Sequence, residues 1–177
     1  MFQKILTALD KSEISKHVFE EALALAKANG ASLLLLHVLS VDEEDYPLVA
    51  GRNSWNYDPK AICAAMESFQ KHWQKYEQQG LELLQSHTAQ ATAAGVKAEF
   101  TQNLGGPGAC ICAVARAWGA DLIVVGRRRL SVWRELVPGS VSSYVLHHAP
   151  CTVMAVQYPV KKNIRTLHSQ SLKLASE

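Results

Sequence analysis

Four short apolar runs carry almost no polar alternation: "KILTAL" (4–9), "SLLLLHVLS" (32–40), "ADLIVVG" (120–126) and "CTVMAVQ" (151–157). A strand wetted on one face alternates in polarity, whereas one covered on both faces does not. Segments of helical period separate these runs, so consecutive strands are joined by crossovers and lie parallel. That restricts the chain to a doubly wound α/β sandwich with right-handed connections. "VKAEFTQ" (96–102) supplies one more strand, more alternating and therefore expected near a sheet edge. The expected fold is a single domain around a five-stranded, mainly parallel sheet.

The intervening segments read as helices of unequal length. Ser12 offers an N-cap, and Ile14, Val18, Ala22, Leu25 and Ala26 form a stripe that stops at Gly30. Residues 41–57 break both periodicities and read as an inserted loop with an acidic beginning. Asp58 followed by Pro59 opens a long polar helix to about Ala94, with Ile62, Met66, Phe69, Trp73 and Tyr76 on one face. "NLGGPG" (103–108) reads as a turn, "ACICAVARAW" (109–118) as a third helix, and 140–148 as a short fourth. Residues 158–177 show no pattern and read as a surface tail. There is no internal repeat and no sign of a second domain.

Several functional classes fit poorly. A formal charge of +2 argues against nucleic acid or an anionic membrane as partner. No apolar run is long enough to span a bilayer, and an opening "MFQKILTALDKS" that meets Asp10 suits neither a leader nor an anchor. The cytoplasm is the expected compartment. Cysteines stand at 63, 110, 112 and 151, and the Cys110-x-Cys112 pair points in two directions on a helix. Small buried thiols are expected, with a redox role as the alternative. The histidines lack zinc spacing, so no metal site is expected. His147 and His148 fall at a helix end, where a cationic side chain is favoured without any chemistry.

In doubly wound sheets, ligands bind outside the carboxyl ends of the strands, where the strand order reverses. Those ends carry Asp10-Lys11-Ser12, Val38-Leu39-Ser40, the 103–108 turn and the loop after Gly126. The last, "GRRRLSVWRELVPGSVSSYV" (126–145), has Gly126 closing a strand and Gly139-Ser140 opening a helix. A helix N-terminus presents unpaired N–H groups to an anion, and a glycine there admits close approach. In the purely structural alternative, Gly126 closes a turn and Ser140 caps a helix. Neither a Walker A lysine motif nor a GxGxxG after the first strand is present.

The stretch "GADLIVVGRRRLSVWRELVPGSVSSYVLHHAPCTVMAV" resembles the C-terminal signature of the universal stress protein family. "KILTALDKSE", "LLLLHVLS" and "GGPGACICAVARAWGADLIVVG" are similar to the same family in order and spacing, over residues 2–157. The resemblance implies an adenine-nucleotide alpha-hydrolase-like fold and a two-fold homodimer through the fifth strand, Cys151 to Val156. The family's nucleotide-binding branch has a glycine, two residues, a glycine, nine residues, then glycine with serine or threonine. Gly126 fills the first place and Gly139-Ser140 the last, while Arg129 replaces the middle glycine. Carried over by position, Asp10 matches the residue near ribose and phosphate, and Val38 the residue whose main chain reads adenine. Gly126, Gly139, Ser140 and Val141 match the phosphate contacts. Arg129 admits three arrangements: bulk that fills the phosphate space, a guanidinium that holds phosphate, or a slipped loop in which Ser131 takes the small-residue place. Arg127 adds positive potential, or is simply a solvated side chain.

Two functions from different classes follow. One is a cytoplasmic stress-response protein that binds ATP or AMP as a sensor or regulator, with magnesium carried on the phosphates. No positioned general base supports more than slow ATP hydrolysis. The other is a dimeric interaction protein that has lost nucleotide binding through Arg129 and acts on a regulatory protein partner.

Overall fold

Strand β1 (Lys4–Leu9) occupies the centre of a five-stranded sheet whose order is β3-β2-β1-β4-β5. The other strands are β2 (Ser32–Leu39), β3 (Ala98–Leu104), β4 (Leu122–Gly126) and β5 (Thr152–Val156), and all four pairings are parallel. This computed structural model describes residues 1–41, 46–47, 59–127 and 141–157. The helices are α1 (Ile14–Asn29), α2 (Pro59–Ala93), α3 (Pro107–Trp118) and α4 (Val141–His148).

The unbroken apolar runs are buried on both faces, as a parallel sheet requires. Ile5, Leu9, Leu33 and Leu35 pack with Ile14, Val18 and Phe19 of α1 and with Leu84 and Ala91 of α2. On the opposite face, Leu6, Leu34, Leu36 and Ile123 meet Ile111 and Ala115 of α3 and Val145 of α4. Two helices therefore cover each face. The strand order reverses between β2 and β4, on either side of β1.

Local signals explain most boundaries. Gly30 takes a left-handed φ of 65°, which glycine adopts without a Cβ penalty, and its N–H reaches the carbonyls of Ala26 and Lys27. Pro107 stands in the first turn of α3, where its missing N–H costs nothing.

Three expectations change. Ser12 does not cap α1: Glu13 holds the N-cap position without a side-chain bond, because Ser12 is drawn to Asp10 instead. Strand β3 runs through Asn103 and Leu104 rather than turning there, since Val38 and Leu39 continue the ladder opposite them. Within the expected apolar stripe of α2, Tyr76 is buried, but Ile62 and Met66 are 42% and 66% exposed. The buried part of α2 is its C-terminal portion, over β2 and β3. Asp58, the expected cap of this helix, lies outside the described residues.

Candidate functional site

Strand β1 ends at Leu9, and continuing its register with β4 from Thr7↔Val124 brings Leu9 opposite Gly126. The carboxyl ends of the two central strands thus lie side by side. Asp10 and Gly126 border the crevice, with Val38 one strand away.

Asp10 is folded back over the start of α1. Its Oδ1 accepts from the Ser12 amide at 2.9 Å, from the Ser12 hydroxyl, and from the Ser15 hydroxyl at 2.6 Å. Its own amide donates to the Ser15 Oγ at 2.9 Å. This is an Asx turn reinforced by a buried serine. The carboxylate has a local structural role as well as its position at the crevice, and Ser15, which carries much of it, was not singled out in the sequence.

Gly126 has a physical requirement of its own. A Cβ built there would stand 3.2 Å from both Ile14 Cγ2 and Val18 Cγ2. The glycine lets the end of β4 sit directly against the first turns of α1. The next residue, Arg127, is exposed, and its N–H donates to the Val156 carbonyl at 2.7 Å, extending the β4–β5 pairing by one bond. Val141, at the start of α4, is 39% exposed. Arg129, Gly139 and Ser140 lie outside the described residues.

Val38 is 7% exposed, so it contributes through its main chain. The Ser32 amide bonds to Gln3 on the β1 side, the Leu33 amide to Lys97 on the β3 side, and Leu39 accepts from Gly105 beyond β3. Even-numbered residues of β2 therefore turn their main-chain groups toward β1, whose pairing with β2 ends at Leu9↔His37. The Val38 carbonyl points past that end, toward the crevice side. Ser40 points the same way, and its amide donates to the Tyr76 hydroxyl at 3.0 Å while its carbonyl accepts from that hydroxyl at 3.2 Å.

Tyr76 was legible as part of the apolar face of α2, but not as part of the site. The available signal was that a buried tyrosine hydroxyl needs a polar partner. Around it, Trp73 and Tyr46 lie with ring centroids 5.9 and 5.8 Å away. Lys11 Nζ stands 4.6 Å from the Tyr76 ring centroid and donates to Gln79 Oε1 at 2.8 Å. A separate open groove runs over α1 and α2 from Asp10 to His87 and Gln90, and neither Val38 nor Gly126 lines it.

The thiols differ from the expectation of uniform burial. Cys112 is buried, Cys110 and Cys151 are half-buried, and Cys63 is exposed. Burial pushes the Cys110 and Cys112 thiols above their ordinary range, with Arg116 opposing at Cys112. Burial also raises Cys151, reinforced by Asp121 and Cys112. Among the described residues no group of three or more histidine, cysteine or acidic side chains is arranged to hold a metal ion, and no helix is long and apolar enough to cross a membrane.

A model described as the universal stress protein family matches residues 1–157. The universal stress protein Sll1388 of Synechocystis is 36% identical over 160 residues, covering 89% of this chain and 99% of its own. Among solved structures, the protein MJ0577 superposes with a TM-score of 0.65 at 20% identity, over 90% of this chain and 98% of that one. A universal stress protein family member from Arabidopsis thaliana, At3g01520, described with AMP bound, gives a TM-score of 0.59 at 25% identity, covering 89% of this chain and 93% of its own.

Proposed function

The chain belongs to the universal stress protein family, and on that premise we propose that it binds an adenine nucleotide, ATP or AMP, as a sensor or regulator in a stress response. The observation that carries this reading is the crevice at the carboxyl ends of β1 and β4, with Asp10 and the Val38 main chain at its edge. The similar Arabidopsis protein with AMP bound supports it. In this reading the base meets Val38, the ribose and first phosphates lie by Asp10, and the phosphate tail reaches Gly126, Arg127, Arg129, Gly139, Ser140 and Val141. Magnesium rides on the phosphates. The protein works as a cytoplasmic homodimer joined through β5 and signals to a regulatory protein, and it is a binding protein with at most slow hydrolysis.

Titration calorimetry with ATP, ADP and AMP, with and without magnesium, tests this directly. Saturable binding that Gly139→Asp abolishes is expected, because the substitution puts bulk and negative charge into the loop. Absence of heat at several temperatures, with no nucleotide retained after gentle purification, would overturn it.

A second reading has one observation in its favour. Gly126 is required by the packing of Ile14 and Val18 whether or not phosphate is bound, so its presence is compatible with an empty site. In that reading Arg129 fills the phosphate space and the dimer acts only through protein partners. The same titration separates the two, and Arg129→Ala shows whether the arginine helps or hinders.

A further inference from the structure

Past the end of β1, the main chain of β2 has no ladder to hold it on that side. The Leu9↔His37 pair is the last between the two strands, yet β2 continues through Leu39. The Val38 carbonyl and both main-chain groups of Ser40 point into this gap by the alternation of a parallel ladder. What holds them is a side chain from the opposite direction. The Tyr76 hydroxyl accepts from the Ser40 amide at 3.0 Å and donates to the Ser40 carbonyl at 3.2 Å, replacing the strand partner with a single atom. Tyr76 is 2% exposed, so this bridge is shielded from water, where an unmade hydrogen bond is costly.

We propose that Tyr76 is a positioning residue for ligand recognition: by fixing Ser40 it holds the Val38 carbonyl, two residues earlier, where it accepts a hydrogen bond from the amine of a nucleobase. The inference rests on the nucleotide reading above and deepens it. A carbonyl is an acceptor only, so it favours a base with an exocyclic amine over one with an oxo group at the same place. The tyrosine acts at one remove, through two residues of main chain. Its ring also supports Lys11, 4.6 Å from the ring centroid, so the packing of the ring and the bonding of the hydroxyl are separate contributions.

Tyr76→Phe separates them, keeping the ring and the Lys11 contact while removing the hydroxyl. The probes are ATP and inosine 5′-triphosphate, which carries oxo in place of amine. Wild type is expected to bind ATP the more tightly. In Tyr76→Phe, ATP is expected to weaken by about fivefold, the scale of one hydrogen bond, with inosine triphosphate changed by less than about twofold. Hydrogen exchange at the Ser40 amide should quicken while that at Leu34 and Leu36 does not.

Ser40→Pro, which removes the amide but keeps the tyrosine, should lower the same affinity ratio and is the arm to use if Tyr76→Phe folds poorly. Equal weakening of both nucleotides, or an unchanged ratio in both variants, would overturn the positioning role while leaving nucleotide binding intact. If the wild-type protein binds neither nucleotide, the nucleotide reading falls first and this one with it.

Discussion

Gly126 and Ile14 approach so closely that a Cβ on the glycine would meet Ile14 Cγ2 at 3.2 Å, with Val18 Cγ2 equally near. The first position of the loop signature is thereby tied to the helix that follows β1. Gly126→Ala should therefore destabilise, because Ile14 and Val18 are 5% and 1% exposed and have little room to yield. Overpacking of this kind costs about 1–3 kcal/mol, offset by about 0.4–1 kcal/mol from the stiffer unfolded chain. Urea denaturation without nucleotide measures it. An unchanged midpoint would mean that the close contact relaxes freely.

Gly80 poses the same problem inside α2. A Cβ there would stand 2.5 Å from His37 Nδ1 and 2.8 Å from Gln102 Nε2, and His37 is fully buried. Alanine ordinarily gains about 1 kcal/mol over glycine in a helix. At this position the sign should reverse, with a net loss of about 1–2 kcal/mol as α2 is pushed off β2 and β3. A thermal midpoint equal to or above the parent's would refute the packing argument.

Asp10→Ala removes the acceptor shared by the Ser12 amide, the Ser12 hydroxyl and the Ser15 hydroxyl. We expect a loss of about 1–3 kcal/mol, the range for hydrogen bonds to a charged group. Asp10→Asn keeps an acceptor oxygen and should recover more than half of it. Chemical denaturation of the three proteins at neutral pH decides the matter. If alanine is as stable as the parent, the aspartate is there for the ligand alone.

Cysteine reactivity should be ordered by burial. Alkylation at pH 8 followed by peptide mapping should label Cys63 first, and Cys110, Cys112 and Cys151 slowly until the protein is unfolded. The three raised thiols also set a sign for pH dependence. The folded chain keeps protons that the unfolded chain releases above the ordinary thiol value of 9.0, so their effect on stability is absent below that pH and destabilising above it. Denaturation midpoints measured from pH 8 to 10.5, with alanine at the three positions as reference, would expose it. A parent that resists alkaline pH as well as the triple variant would refute the assignment.

The central strands were legible because a parallel sheet leaves no polar alternation to hide them: "KILTAL" is β1 to the residue. Errors arose where one residue had two competing uses. Ser12 has the chemistry of an N-cap, but a carboxylate two residues earlier binds it more strongly than the helix does. Asn103 and Leu104 read as the start of a Gly-rich turn, and only their pairing with Val38 and Leu39 makes them strand. Asp10 and Val38 were found at strand ends because topology alone points there. Tyr76 was not, because its partner Ser40 lies 36 residues away and no local pattern connects them.

The central place of β1 has a consequence for how the chain is made. One edge of that strand is satisfied early, by β2, and β3 then extends the sheet away from it. The other edge must wait for β4, from Leu122 onward, and the Gln3 amide waits for Asp121, 118 positions later. During synthesis the nascent protein therefore carries an open strand edge through most of its length, next to the first helix that will line the crevice. Closing that edge and assembling the crevice are the same late event, so the binding site comes into being only as the fold is completed.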